Sequence, residues 1–213
     1  MDAVLTKPGK SARKAKGDGH LRRAEILEAA ERIFVADGYE GATIRKIADE
    51  VGVSSTALYM HFRDKDAILH EIAQAWMQSL LDQNTEIAAR PEDSVARIRL
   101  MLEAYVKMGL EHPNAYRLVY CSAPPRGGAL GPVQAATAES GVQCYACYAG
   151  VVREIEAEGR LRVGDAENAA LALWASCHGL VALMITRPDV KWTSVETLTK
   201  LNVEALLHGL VAR

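Results

Sequence analysis

Apolar residues recur at intervals of three and four along most of the chain, while sustained two-residue alternation and Asn-Gly hairpin signals are missing. This pattern predicts an all-α protein of about nine helices. Ile26, Ala29, Ala30, Ile33 and Phe34 make the first stripe, and Gly38 stops it. Ile44, Ile47, Ala48 and Val51 make a shorter second stripe, with Thr43 placed to cap its start. Asp64 is placed to cap a long helix carrying Ile68, Leu69, Ile72, Trp76, Leu80 and Ile87, which breaks at Pro91. A further helix runs from Ser94 to about Glu111, and Pro113 opens a short one holding Tyr116, Leu118, Val119 and Tyr120. After the loop Pro124 to Gly128 comes a helix from about Val133 to Glu158, closed by Gly159. Gly141 and Gly150 weaken it by about 1 kcal/mol each. Asp165 can cap the next helix, which reaches about Thr186. Thr193 with Glu196 three residues later matches a capping box, so the final helix is expected to start there.

One stretch breaks the core pattern. In VSSTALYMHF, Val53 to Phe62, the inward spacing is met by Leu58 and Phe62 alone. Ser55, Thr56, Tyr59 and Met60 then share the outward face. The preceding turn is Val51-Gly52-Val53-Ser54. Gly52 supplies the positive φ that lets two short helices cross steeply, Ala48 permits their close approach, Val53 plugs the corner and Ser54 caps the second helix. A small residue, then Gly, apolar and Ser at this spacing is the pattern of a DNA-binding helix-turn-helix. Short hydroxyls and a methyl-contacting group on one helical face suit major-groove readout, and a helix N-terminus suits phosphate. Thr43 and Arg45 lie at the front of the first of these helices, near flanking backbone, and Lys65 can reach phosphate from the other side.

The segment from Arg22 to Leu69 resembles the N-terminal DNA-binding domain of TetR-family transcriptional regulators. The resemblance rests on Ile26…Ala30…Phe34…Gly38-Tyr39, Ala42-Thr43-Ile44, Ile47-Ala48…Val51-Gly52-Val53-Ser54 and Leu58-Tyr59…His61-Phe62…Lys65. It implies that Tyr59, His61 and Lys65 hold phosphates, while Ser55, Thr56 and Arg45 approach bases or backbone. Position 60 departs from the family habit of a hydrogen-bonding residue. Met60 cannot donate, so specificity is expected to lean on Arg45, Thr56 and the basic arm. The resemblance divides the chain into a basic arm over 1–20, expected to be disordered, a reading head over 21–66 and a helical ligand-binding and dimerisation domain over 67–213.

HPNAYRLVY and LWASCHGLVAL resemble the C-terminal domain of a TetR subgroup marked by Trp, His and Gly, here Trp174, His178 and Gly179. That implies a pocket and a two-fold interface. The residues point the same way. The helix through Ala169 to Ile185 is apolar all round, so every side must be covered. Leu198, Leu201 and Ala205 give the last helix a second apolar face. Two such helices suggest a four-helix bundle made by a homodimer. A dimer offers a second half-site, so the expected partner is a palindromic double-stranded DNA operator. Aromatic, thioether and polar groups mixed in one domain suit a mostly apolar effector. The candidate lining is Tyr105, Met108, Tyr116, Tyr120, Tyr145, Tyr148, Trp174, Cys177, His178 and Met184.

Charge and cysteines refine the picture. The net charge is -2, yet residues 1–23 hold seven Lys/Arg against two Asp, a local excess of five. A basic arm on an acidic body fits contact with a polyanion. The longest charge-free apolar run, 169–185, has 17 residues and includes polar members, short of a membrane span. No signal peptide is apparent, and the four cysteines lack a disulfide framework, so the cytoplasm is the expected compartment. Cys144, Cys147 and Cys177-His178 raise a zinc or thiol-sensor alternative, although one C-x-x-C in an apolar helix is thin support. Phosphate-loop, dinucleotide and nucleophile motifs are missing, so an enzyme is not expected, and neither is a cofactor. The reading is a repressor released from its operator by a small molecule, with a constitutive DNA-binding protein as the alternative.

Overall fold

The structure, a computed structural model, describes residues 18–121, 132–162 and 164–212. Among these residues the chain forms nine α-helices, one π-helical turn and no strand beyond a bridge between Leu161 and Val211. The first three are α1 (Asp18–Gly41), α2 (Ile44–Val51) and α3 (Ser55–Tyr59). α2 packs on α1 and on α3, and α1 packs against α4 (Lys65–Ala88). The remainder is α5 (Ser94–Glu111), α6 (Pro113–Tyr116), the π turn Arg117–Cys121, α7 (Pro132–Ala157), α8 (Ala166–Thr186) and α9 (Val195–Leu210).

Most boundaries follow from local chemistry. Gly38 takes φ 70° and interrupts α1. Thr43 accepts from the Lys46 N–H at 3.2 Å, Ser54 from Ala57 at 3.1 Å and Asp64 from Ala67 at 2.8 Å. Asp165 accepts from Asn168 at 2.8 Å. The last helix begins one residue later than its capping-box spacing predicts. Ser194 is the cap and accepts from Thr197 at 3.1 Å, with the two hydroxyls 2.6 Å apart.

α4 is the spine. It packs most extensively along α7, and its N-terminal turns also close the reading head. Its apolar stripe, Ile68 to Ile87, is buried throughout. The first-turn end of α4 and the far end therefore belong to one rigid element. The basic residues expected to extend the N-terminal arm divide in two. Lys7, Lys10, Arg13, Lys14 and Lys16 lie outside the described residues. Arg22 and Arg23 are part of α1 and are ion-paired, Arg22 to Glu25 at 2.6 Å and Arg23 to Glu71 across to α4. Residues 18–20, assigned to the arm, are helical in α1.

α8 is the one described helix long and apolar enough to cross a membrane by length and composition. It is not covered on every side as its pattern demands. Leu171 and Leu183 on α8, and Val195 and Leu201 on α9, stay exposed in the single chain.

Candidate functional site

α3 is five residues long and could not persist alone, because the first helical turn costs more order than it returns. Its position is set from both ends. Gly52, at φ 74° and ψ 34°, turns α2 into α3, and its N–H bonds back to the Ala48 and Asp49 carbonyls. Ser54 caps the front. Leu58 is fully buried beside Phe62, and the Phe62 N–H donates to the Leu58 carbonyl at 3.1 Å.

With the inner face fixed, the outer face follows. Thr56, Tyr59 and Met60 are exposed, Tyr59 by 55% and Met60 by 85%, and Ser55 is half-buried. Arg45 of α2 is exposed, with only a loose 3.9 Å approach to Asp49, itself exposed. Such a pair holds the guanidinium weakly. Thr43 and Ser54 are exposed but spend their oxygens on caps. His61 is half-buried, and its carbonyl accepts from Arg23 at 2.7 Å.

Lys65 is arranged differently from the phosphate contact expected of it. Its ammonium donates to the Tyr39 carbonyl at 2.8 Å and reaches the Ala42 carbonyl at 3.4 Å. It also stands 4.0 Å above the Tyr39 ring. It ties the start of α4 to the end of α1, so any phosphate would compete with those carbonyls. Arg23 was not among the expected site residues, yet it joins three elements. It bonds Glu71 of α4, donates to the carbonyl after α3, and lies 4.1 Å over the Phe62 ring. Its position three residues before the Ile26 stripe carried no signal for this, because the partner lies 48 positions away.

The second candidate site is a cavity of about 710 Å³. Its wall comes from α4, α5, the π turn, α7 and α8. Of the predicted lining, Tyr105, Tyr120, Tyr145, Tyr148, Trp174 and Cys177 border it. Met108, Tyr116, His178 and Met184 do not. Met108 is buried in the α5 core, and Tyr116 is fully buried. His178 is half-buried, its Nδ1 lying 2.7 Å from the Tyr116 hydroxyl and 3.1 Å from that of Tyr105. The Tyr116 hydroxyl also lies 3.2 Å from the His178 carbonyl. Burial lowers the His178 pKa, which favours the neutral ring. These groups brace the wall from behind. Of the residues at the Trp, His and Gly places, all on α8, only Trp174 borders the cavity.

The wall also has members that the sequence pattern did not single out, among them Met77, Asn84, Met101, Arg153 and Glu167. Asn84 had a readable signal, since it interrupts the apolar stripe of α4 between Leu80 and Ile87. Arg153 and Glu167 sit 3.8 Å apart, both about half exposed, and the Tyr145 hydroxyl donates to Glu167 at 2.8 Å. Desolvation pushes the Cys144 thiol up to about 11 and the Cys177 thiol to about 12. Both are therefore protonated, poorly nucleophilic thiols at neutral pH, which argues against a thiol sensor built on them. Among the described residues no group of three or more His, Cys, Asp or Glu could hold a metal ion.

Comparison with known proteins agrees with both halves. Residues 26–72 match the family model described as bacterial regulatory proteins, tetR family. Residues 98–206 match one described as a tetracyclin repressor-like C-terminal domain. The chain is 37% identical over 94 residues to the HTH-type transcriptional repressor KstR2 of Rhodococcus jostii, covering 44% of each chain. It is 28% identical over 194 residues to the HTH-type transcriptional regulator TtgR of Pseudomonas putida, covering 83% of this chain and 86% of that one. Against several curated relatives, KstR2 included, the match spans less than half of the relative's length. In fold, the chain is similar to the ketosteroid transcriptional regulator KstR2 of Mycobacterium tuberculosis, with TM-score 0.74 and 22% identity, over 90% of this chain and 96% of that one. A capped helix-turn-helix with its reading face turned outward, joined by one long helix to an all-helical body matched along most of its length, makes this chain a member of the TetR family of DNA-binding transcriptional regulators.

Proposed function

We propose that this regulator is a repressor released from a palindromic operator by a small, mainly apolar molecule. The observation that carries the reading is α4. Its first two turns are bonded to the reading head through Lys65 and through the Arg23–Glu71 pair, and three turns on it supplies Met77, Leu80 and Asn84 to the cavity wall. A ligand that changes the spacing of α4 and α7 would tilt the same helix that holds the head. In a dimer, a small tilt changes the separation of two heads, which must match half-sites roughly 34–36 Å apart. The cavity itself weighs against a constitutive binder, whose second domain would need no such void. Functionally, the chain divides into the arm, expected over 1–20 but with 18–20 already part of α1, the head up to residue 66 and the effector and dimer unit over 67–213, acting in the cytoplasm beside the DNA. The dimer forms through α8 and α9.

In the head, Thr56, Arg45, Ser55 and Met60 face bases or flanking backbone. Tyr59 and His61 hold phosphate, with Thr43 and Ser54 at the helix fronts and Lys65 adding to them once freed from Tyr39. The test is selection of bound DNA from a random pool at two salt concentrations. Recovery of a two-fold symmetric sequence is expected, with affinity falling steeply as salt rises. Recovery of no preferred sequence would contradict the reading. Tyr59→Phe is expected to weaken binding about three- to ten-fold on selected and random DNA alike, because a phosphate contact carries no sequence information. Unchanged affinity in a fluorescence-anisotropy titration would remove Tyr59 from the phosphate contacts.

A further inference from the structure

Part of the cavity wall is built from aromatic rings beside a single carboxylate. Tyr145 and Tyr148 come from one face of α7, three residues apart, and Glu167 and Trp174 from one face of α8, seven apart. The Tyr145 ring centroid lies 6.0 Å from that of Trp174 and 6.3 Å from that of Tyr148, at interplanar angles of 57° and 46°. The three rings are tilted against one another and so border the space as separate walls. A ring face carries negative potential and attracts a cation. Among the described residues the cations that lie over rings are Arg23 and Lys65, both in the head.

Glu167 has capacity to spare. Its Oε1 accepts from the Tyr145 hydroxyl at 2.8 Å, while its Oε2 meets only the Arg153 guanidinium, 3.8 Å away. That gap is about 1 Å longer than a charge-assisted hydrogen bond. Arg153 is half-exposed, and its other contact is the Ala146 carbonyl at 3.4 Å. Such a loosely held guanidinium can turn to water and leave Oε2 to another cation.

We propose that the cavity takes a mainly apolar molecule carrying one positive charge, a quaternary or protonated ammonium, placed among the Tyr145, Tyr148 and Trp174 rings with Glu167 as counter-ion; this rests on the effector reading above. The apolar remainder fills the rest of the space, where α4 contributes Met77 and Leu80. A cation taken out of water needs a partner, and here the ring faces and the carboxylate supply it. An anion would meet ring faces and a carboxylate of its own sign, with Arg153 alone among the described wall residues to favour it.

The test uses three probes on one biphenyl frame: (4-phenylbenzyl)trimethylammonium, 4-phenylbenzyl alcohol and biphenyl-4-carboxylate, titrated calorimetrically into the full chain and two variants. The native protein is expected to bind the ammonium about ten-fold more tightly than the alcohol, with the carboxylate weakest. Glu167→Gln keeps an acceptor for Tyr145 but loses the charge, and should weaken the ammonium about three- to ten-fold while leaving the alcohol unchanged. Arg153→Gln removes the competing cation and should strengthen the ammonium about two- to five-fold. Equal binding of ammonium and alcohol by the native protein would overturn the proposal, as would binding of no probe. So would an ammonium affinity unmoved by Glu167→Gln or lowered by Arg153→Gln, or a preference for the carboxylate. Affinity for the selected operator, measured with the ammonium bound, separates the two readings. Binding through Glu167 without loss of DNA affinity defeats effector release and leaves the cation site. Release by ammonium and alcohol at equal affinity does the reverse.

Discussion

Leu58→Ala is expected to abolish DNA binding while leaving the body of the protein folded. Leu58 has no exposed surface and is the anchor of a five-residue helix. Its backbone accepts from His61 at 2.9 Å and from Phe62 at 3.1 Å, so the same residue also orders the chain leaving α3. Truncating a buried leucine costs about 2–5 kcal/mol. The head is small, and locally opened states cost less than global unfolding. A loss of that size would therefore fall on the head first, because the buried surface between α5, α7 and α8 does not include Leu58. At 1.4 kcal/mol per tenfold, DNA affinity should drop at least about 100-fold. Hydrogen exchange should show faster exchange over residues 44–62 and unchanged protection in α5 and α8. Met60→Ala, two positions away but exposed, should leave the melting temperature within about 1 °C. A Leu58→Ala protein that binds the selected operator normally would show that α3 is not the reading element.

The double change Leu183→Glu with Leu201→Glu is expected to yield a monomer with at least about 100-fold weaker affinity for the two-fold operator, because linkage of two half-sites is lost. Leu183 is 51% exposed on α8 and Leu201 is 65% exposed on α9. Around them lie Ala172, Ala175, Gly179 and Ala205, small enough to let a second pair of helices approach. Among the described residues nothing covers Leu183 or Leu201, and exposed apolar area of this kind marks an interface. A carboxylate at each position would be buried unpaired in the bundle. In the free chain the same carboxylates are solvated, so the monomer should keep its helical circular dichroism. Light scattering at about 10 µM decides the state, since dimerisation follows mass action. A persistent dimer would move the interface away from α8 and α9. A monomer binding the full operator as tightly as before would make the dimer unnecessary for recognition.

The relation of these expectations to the bare sequence differs from place to place. Helix starts were legible because a cap is decided within four residues. Asp64 and Asp165 cap where their spacing says, and Gly52 takes the left-handed φ that its turn requires. Where two hydroxyls compete side by side, spacing alone misleads by one, as Ser194 displaces Thr193. The outward face of α3 was legible for a related reason. Once Leu58 and Phe62 are inward, helical geometry leaves Thr56, Tyr59 and Met60 no other direction.

Roles that depend on distant partners were not legible. Lys65 is turned toward Tyr39 and Ala42, more than 20 positions earlier, and Arg23 toward Glu71. Periodicity separates inward from outward residues, but it does not say whether an inward face meets a neighbour or a void. Tyr105 and Tyr116 read alike, yet one borders the cavity and the other is sealed behind it. Local pattern thus determined the helices, the turn and the reading face, since those rest on contacts within a few residues. The cavity was decided by how α4, α5, α7 and α8 cross, because a void exists only where separate helices fail to meet, and the bracing of the head by how α1 meets α4.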